Sequence, residues 1–215
     1  MAAASDLAPI LGKQENARFT FGSSGQLSRQ ITNGAPYDIF LSANRRFAEQ
    51  VVAAGKADAA ALRAYATGRL AIWSKSGRYR QLEDLQDPAI RHIGMANPAH
   101  APYGQAAREA LERLGLWEKL RSKLVYAESV RQTLQFAESG NVEVILTSWT
   151  LVYERGGVLV PESFHEPLVQ VAVPLRGSAE GRKFMDWLLG PEGQKLLRAS
   201  GLYPPPASRD RLNRK

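Results

Sequence analysis

The chain has no cysteine among its 215 residues and only three histidines, His92, His100 and His165. Without thiols the protein forms no disulfide, uses no cysteine nucleophile and holds no zinc–thiolate site. The histidines also lack the H-x-x-x-H spacing of a helical metal site. We therefore expect no metal ion bound directly by protein side chains.

Long apolar runs are missing as well. The longest, VEVILTSW and LVQVAVPL, are far shorter than the roughly 20 residues that a membrane-spanning helix needs. The N-terminus lacks a basic region followed by an apolar stretch, so we expect the signal peptide to be absent from this chain. With 44% apolar and 23% charged residues, the composition is typical of a folded globular protein.

The net charge of +7 is scattered along the chain, and the one dense basic run is the C-terminal SRDRLNRK. Nucleic-acid binders usually carry a clustered basic patch together with a recognisable motif. Neither is found here, so we expect no nucleic-acid partner. A generally basic surface does attract small anions.

Short apolar strands alternate with helical segments, which predicts an α/β fold with mostly parallel sheets flanked by helices. Two strand-like runs, at 69–74 and 168–175, bracket a block with strands and helices of its own. We therefore predict a discontinuous lobe I, residues 1–70 and 174–215, and an inserted lobe II, residues 71–173. A ligand cleft is expected between them, at the carboxyl ends of the strands. The alanine-rich segment at 57–67 is predicted to be helical.

Several predicted helices begin with small hydroxyl residues. Ser23 with Gln26 fits a capping box, which leaves the hydroxyl and amide of Ser24 free in the first turn. Ser129 with Gln132 repeats the pattern and places Val130 at the first helical position.

Two further helix starts are predicted at Ser5, as the cap of a helix that begins with Asp6, and at Pro102-Tyr103-Gly104. Each start exposes unpaired N–H groups and the positive end of the helix dipole. Four such ends aimed at one cleft would form an anion site. The alternative for each serine is a purely structural cap.

Four segments, in order, resemble the periplasmic molybdate-binding proteins of ABC transporters: FGSSGQLSRQITNGAPYDIFLSA, ANPAHAPYGQAAREALERLGLWEKL, KLVYAESVRQTLQFAESG and WLLGPEGQKLLRASG. The resemblance implies a two-lobed type II periplasmic binding protein fold and a non-enzymatic receptor. Such a receptor captures molybdate or tungstate between its lobes and delivers it to a membrane permease. It also implies a periplasmic monomer without a cofactor, with molybdenum or tungsten present only inside the oxyanion.

By matching motif, the resemblance implies that the oxyanion contacts the hydroxyls of Ser5 and Ser24 and the amides of Tyr103 and Val130. The Tyr103 hydroxyl is a further candidate, since some members use it.

Asp6 and Ser148 are less direct matches. The backbone of Asp6 is a candidate donor, but its carboxylate would repel an anion, so we expect that carboxylate to face solvent and complement the helix dipole. Ser148 falls where some members place a tyrosine that donates its hydroxyl. Only 19 residues separate Ser5 from Ser24, which predicts a shortened first strand and first helix compared with the family.

A site of N–H and O–H donors without lysine or arginine favours a fully deprotonated oxyanion, because it offers no acceptor for the proton of hydrogen phosphate. Molybdate, tungstate and sulfate satisfy this condition. Catalysis is not expected, because GSSG does not match the G-x-S-x-G elbow and no histidine lies in a triad-like segment. Two alternatives stay open: an oxyanion-sensing domain of a regulator, and a receptor for sulfate or another tetrahedral oxyanion.

Overall fold

The computed structural model describes residues 1–14 and 17–206. Strands within this part of the chain form two five-stranded sheets. In chain order they are β1 (Ala2–Ala4), β2 (Thr20–Gly22), β3 (Ile39–Ser42), β4 (Arg63–Gly68), β5 (Leu70–Trp73), β6 (Ile93–Ala96), β7 (Leu124–Ala127), β8 (Val144–Ser148), β9 (Val158–Leu159) and β10 (Leu168–Pro174).

The two sheets have matching topologies. The first has the order β2-β1-β3-β10-β4 and the second the order β7-β6-β8-β5-β9. In each, the first three strands are parallel and the last two pairings are antiparallel. The two-lobed α/β prediction is confirmed, but the sheets are mixed rather than mostly parallel, because β10 and β5 run against their neighbours.

Helices flank both sheets. They are α1 (Ala8–Leu11), α2 (Ser24–Thr32), α3 (Arg45–Ala53), α4 (Pro102–Arg113), α5 (Trp117–Leu120), α6 (Val130–Glu138), α7 (Trp149–Val152), α8 (Ala179–Leu189) and α9 (Pro191–Ala199). The amphipathic spacing of their apolar residues buries one face of each longer helix against a sheet. No helix in residues 1–14 and 17–206 is long and apolar enough to cross a membrane.

The N-terminal elements are as short as the spacing predicts. Strand β1 has three residues, all alanines with at most 3% of their surface exposed. It lies between β2 and β3 and pairs with both. Small side chains fit this central position, and the four-residue helix α1 follows after one 3-10 turn, Ser5–Leu7.

The chain crosses between the sheets twice. The first crossing is at Arg69, between β4 and β5, and the second precedes β10. The prediction assigned residues 1–70 and 174–215 to lobe I and residues 71–173 to lobe II. These limits differ from the observed sheets at one strand, β10. This strand pairs with β3 and β4, and that pairing places 168–173 in the first lobe.

The predicted helix at 57–67 is wrong. The segment forms a 3-10 turn at Ala59–Ala61 and then strand β4, which pairs with β10 along its length. Tyr65 in this strand is completely buried. The alanine-rich sequence favours a helix locally, but hydrogen bonding to β10 and burial of Tyr65 override that preference.

Candidate functional site

A small cavity lies between the lobes, where helices of both begin. Its volume is about 10 Å³, close to the least that holds one water molecule. Its lining, within the described residues, contains no lysine, arginine or histidine. The lining residues are Ala4, Ser5, Asp6, Gly22, Ser23, Ser24, Ala43, Ala101, Pro102, Tyr103 and Val130. The cavity thus brings together five of the six predicted site residues.

The first lobe contributes two serines from the carboxyl ends of adjacent strands. Ser24 is the first residue of α2 and is fully buried. Its Oγ accepts a hydrogen bond of 3.0 Å from the Ala43 amide, which leaves the hydroxyl hydrogen available to a ligand. Ser5 opens the 3-10 turn after β1, and Ala4 occupies the cap position. The prediction that Ser5 caps a helix is therefore wrong, although its position at the cavity is as expected.

The second lobe contributes the first turns of two helices. Tyr103 is the second residue of α4, after Pro102 at the first position. Val130 is the first residue of α6, and the preceding Ser129 accepts a hydrogen bond from the Gln132 amide at 3.3 Å. The predicted cap at Ser129 is confirmed. First-turn amides have no acceptor within their own helix, so the amides of Tyr103 and Val130 are donors near the cavity.

Ser23 does not cap α2. It has the extended backbone of a cap residue, but its Oγ lies 3.0 Å from His100 Nδ1 in the other lobe. The Gly25 amide donates to the His100 carbonyl oxygen at 2.9 Å, and Gln26 donates to Glu128 across the same gap. These contacts join the two lobes beside the cavity, so the structure is in a closed arrangement.

Asp6 is buried rather than solvent-facing, which corrects the prediction. Its side chain is completely inaccessible, and Oδ2 accepts hydrogen bonds from the Tyr103 hydroxyl, at 2.9 Å, and from Gln170 Nε2. The Thr150 hydroxyl of the second lobe also donates to the Asp6 backbone carbonyl, at 2.7 Å. Burial raises the pKa of the Asp6 carboxyl, and the hydrogen bonds from Gln170 and Tyr103 offset this only in part.

The Tyr103 hydroxyl is engaged by Asp6, so Tyr103 offers the cavity its backbone rather than a free hydroxyl. Burial and the nearby Asp6 carboxyl raise the pKa of Tyr103 well above its ordinary value. Ser148 is buried but does not line the cavity, and its Oγ lies 2.9 Å from Thr150 Oγ1. Ser148 lies beside Tyr103, within reach of its hydroxyl, rather than in the cavity lining.

Sequence reasoning missed two residues that shape the site. Gln170 was a polar residue inside the apolar run LVQVAVPL, and a lone amide in a buried strand indicates a hydrogen-bonding role. His100 makes the inter-lobe contacts with Ser23 and Gly25. No local signal identifies His100, because its partners are about 75 residues away in the sequence.

Replacing Ser24 by alanine is expected to destabilise the fold by about 1–3 kcal/mol, because the buried Ala43 amide loses its acceptor. Chemical denaturation without ligand measures this cost. Ser139→Ala, which removes an exposed hydroxyl at the end of α6, is the control and should stay within about 0.5 kcal/mol of the parent. Equal stabilities for the two variants would contradict the role of Ser24 as acceptor.

A larger cavity, of about 840 Å³, lies between α1, α6, α7 and α9. None of the six predicted site residues lines it, and its wall carries charged side chains of both signs, including Lys13, Arg131, Glu138 and Glu154. Size alone would favour this cavity as a ligand site. The convergence of buried donors from both lobes favours the smaller one.

Comparisons with known proteins show the family to which the chain belongs. Residues 12–203 match the family model of bacterial extracellular solute-binding proteins. The molybdate-binding protein ModA of Rhodobacter capsulatus is 35% identical over 190 residues, which is 85% of this chain and 75% of that protein. ModA of Azotobacter vinelandii is 36% identical over 193 residues, which is 85% of this chain and 77% of that protein.

Solved structures show the same similarity. The periplasmic molybdate-binding protein of Azotobacter vinelandii superposes with a TM-score of 0.87 at 30% identity, covering 95% of this chain and 98% of that one. The sulfate-binding protein SubI of Mycobacterium tuberculosis has a TM-score of 0.73 at 15% identity, covering 94% and 85%, and supports the fold alone. The chain belongs to the family of bacterial extracellular solute-binding proteins.

Proposed function

We propose that the protein captures molybdate or tungstate in the small inter-lobe cavity and delivers it to the membrane permease of an ABC transporter. The observation that carries the proposal is the lining of this cavity. Ser5 and Ser24 line it together with Tyr103 and Val130 from first turns of helices in the other lobe, and no lysine, arginine or histidine accompanies them in the described lining. The similarity to two ModA proteins supports the choice of oxyanion.

Oriented donors replace the hydration shell of a dianion without a permanent positive charge. Hydrogen bonds to a charged acceptor are about twice as strong as neutral ones, and helix N-termini add the favourable end of their dipoles. The site is enclosed when the lobes meet, which strengthens each of these interactions. Release then follows from separation of the lobes. This mode of binding needs no cofactor and no catalytic group.

The proposal extends to the cellular setting. The receptor works in the periplasm as a monomer, its partner is the transporter's permease, and it binds no nucleic acid. Its membership of a family of extracellular solute-binding proteins supports this setting.

A second candidate ligand is sulfate. It shares the charge and tetrahedral shape of molybdate, and the small volume of the closed cavity favours the smaller ion. A larger oxyanion requires the lobes to close slightly less far than they do here.

A thermal-shift panel tests the proposed ligand. Molybdate and tungstate are each expected to raise the melting temperature by several degrees, because a ligand at 1,000 times its Kd adds about 4 kcal/mol of stability. Phosphate, nitrate and chloride at equal concentration should give no shift, since the serine hydroxyls and first-turn amides are donors and offer no acceptor for the phosphate proton. A sulfate shift larger than that of molybdate would favour the second candidate, and equal shifts from phosphate and molybdate would contradict both.

A further inference from the structure

Asp6 is a buried carboxyl group at the edge of the proposed oxyanion site. It lines the cavity with Ser5 and Ser24 and is fully inaccessible to solvent. Oδ2 accepts both side-chain hydrogen bonds, from Tyr103 and Gln170. Oδ1 is buried and has no hydrogen-bond partner among the described residues. Buried polar atoms are rarely left without a hydrogen-bond partner. A ligand in the cavity could supply the partner that Oδ1 lacks.

Within the part of the chain that the structure describes, no cation pairs with Asp6. The salt bridges formed by the described residues do not include it. Two buried tyrosines are near it: Tyr103 of α4 donates a hydrogen bond to Asp6, and the Asp6 charge contributes to the raised pKa of Tyr65 in β4. From the other elements around it, β10 presents the uncharged Gln170 and α7 the uncharged Thr150.

Helix α6 also packs against the turn that holds Asp6. Its residue in the cavity lining is the uncharged Val130, whereas Arg131 lines the separate larger cavity. With no cation facing it, the carboxyl group has its pKa raised by burial. A bound dianion adds a like charge at short range and disfavours the ionised form further.

We propose that Asp6 binds the oxyanion as a neutral carboxylic acid whose Oδ1 hydrogen is directed to the ligand, so that capture of a dianion retains one proton on Asp6. This inference rests on the proposed function. The proton comes from solvent when Asp6 is ionised in the free protein, and no bond within the oxyanion forms or breaks. A neutral Asp6 gives the unpaired Oδ1 an acceptor and makes the shell around the ligand consist entirely of donors.

An Asp6 that stays ionised when the ligand binds would select a different class of oxyanion. An ionised Asp6 would accept a hydrogen bond and would therefore select an oxyanion that still carries a proton, such as hydrogen phosphate. The protonation state of Asp6 thus determines which class of oxyanion the site prefers.

The experiment measures the molybdate Kd by calorimetric titration across neutral to alkaline pH, where molybdate stays a dianion. A neutral Asp6 is present below the pKa of the free protein and is lost as pH rises through it. The affinity of the parent should therefore fall with rising pH, by up to about tenfold per pH unit. Titrations in buffers with different ionisation heats should show uptake approaching one proton per ligand in the same range.

Asp6→Asn is the matching variant, because its amide keeps the shape and a donor but does not titrate. Its affinity should be nearly independent of pH and should exceed that of the parent at the alkaline end. His100→Gln removes the titratable group at the lobe contact beside the cavity, and the pH slope should persist in it. Proton uptake on ligand binding is measured in the parent without any variant. The proposal can therefore be tested even if Asp6→Asn does not fold.

Distinct outcomes separate the two proposals. A parent that binds molybdate with a flat pH profile and no proton uptake, and more weakly than Asp6→Asn at every pH, overturns the role of Asp6 and leaves the proposed function standing. Loss of the slope in His100→Gln, or phosphate binding that disappears in Asp6→Asn, also overturns it. A parent that binds no molybdate at any pH contradicts the proposed function itself.

Discussion

Replacing Gly25 by leucine is expected to weaken molybdate binding by about 3 kcal/mol, or roughly 150-fold, because it prevents the lobes from meeting. Gly25 lies in the first turn of α2 and its amide donates to the His100 carbonyl oxygen of the other lobe. A Cβ at this position would lie 2.7 to 2.9 Å from three His100 atoms, two of them backbone. Even a methyl group at this position is too close to His100, and a leucine side chain therefore cannot be accommodated without separating the lobes.

Calorimetric titration with molybdate gives the affinity, and chemical denaturation without ligand gives the stability. Leucine favours a helix over glycine by up to about 1 kcal/mol, so the unliganded variant should be no less stable than the parent. Gln30→Leu adds the same side chain to the exposed face of the same helix and should bind normally. Parent-like binding by Gly25→Leu would mean that contact at His100 is not needed for capture.

Replacing Val130 by proline is expected to weaken molybdate binding by about 1.5–3 kcal/mol, roughly ten- to 150-fold. The variant removes one N–H donor to the dianion and replaces the buried Val130 side chain with the smaller proline ring. Proline is favoured at the first helical position, and Val130 holds that position in α6. The preceding Ser129 has φ −155° and ψ 163°, the extended conformation that a residue before proline adopts.

Ala179→Pro is the matched control. Ala179 is the first residue of α8, follows the extended Ser178, and is exposed away from the cavity. Circular dichroism should show both proline variants folded, and only Val130→Pro should lose affinity. If both bind like the parent, the Val130 amide does not donate to the ligand. If both lose affinity, proline at a helix start disturbs the protein generally.

Local sequence was sufficient for the features that depend on neighbouring residues. The cap at Ser129 and the strand-like runs at 69–74 and 168–175 were predicted from short-range patterns, and α2, α4 and α6 are followed by glycines with positive φ, Gly34, Gly115 and Gly140. The short first strand and helix followed from the spacing between Ser5 and Ser24. These predictions held because hydrogen bonds within a turn, and left-handed glycine conformations, involve residues only a few positions apart.

Local sequence patterns predicted the wrong element or lobe where a strand distant in the sequence supplied a pairing partner. The segment at 57–67 has an alanine-rich helical preference, yet its second half becomes β4 because β10 supplies a partner about 100 residues away. Strand β10 belongs to the first lobe for the same reason. Local propensity is worth only fractions of a kcal/mol per residue, so a strand partner and a buried tyrosine decide the outcome.

The sequence by itself determined the α/β class and the small elements at the N-terminus, and its resemblance to a known family named six candidate residues, of which five line the cavity. Only the tertiary structure decided the roles of Asp6, Ser23 and Ser148. Asp6 was expected in solvent but is buried between Tyr103 and Gln170, and Ser23 bonds to the other lobe rather than to its own helix. The reason is that burial and hydrogen-bond partners across a closed cleft come from segments 77 to 164 residues apart, and no local pattern encodes which of them meet.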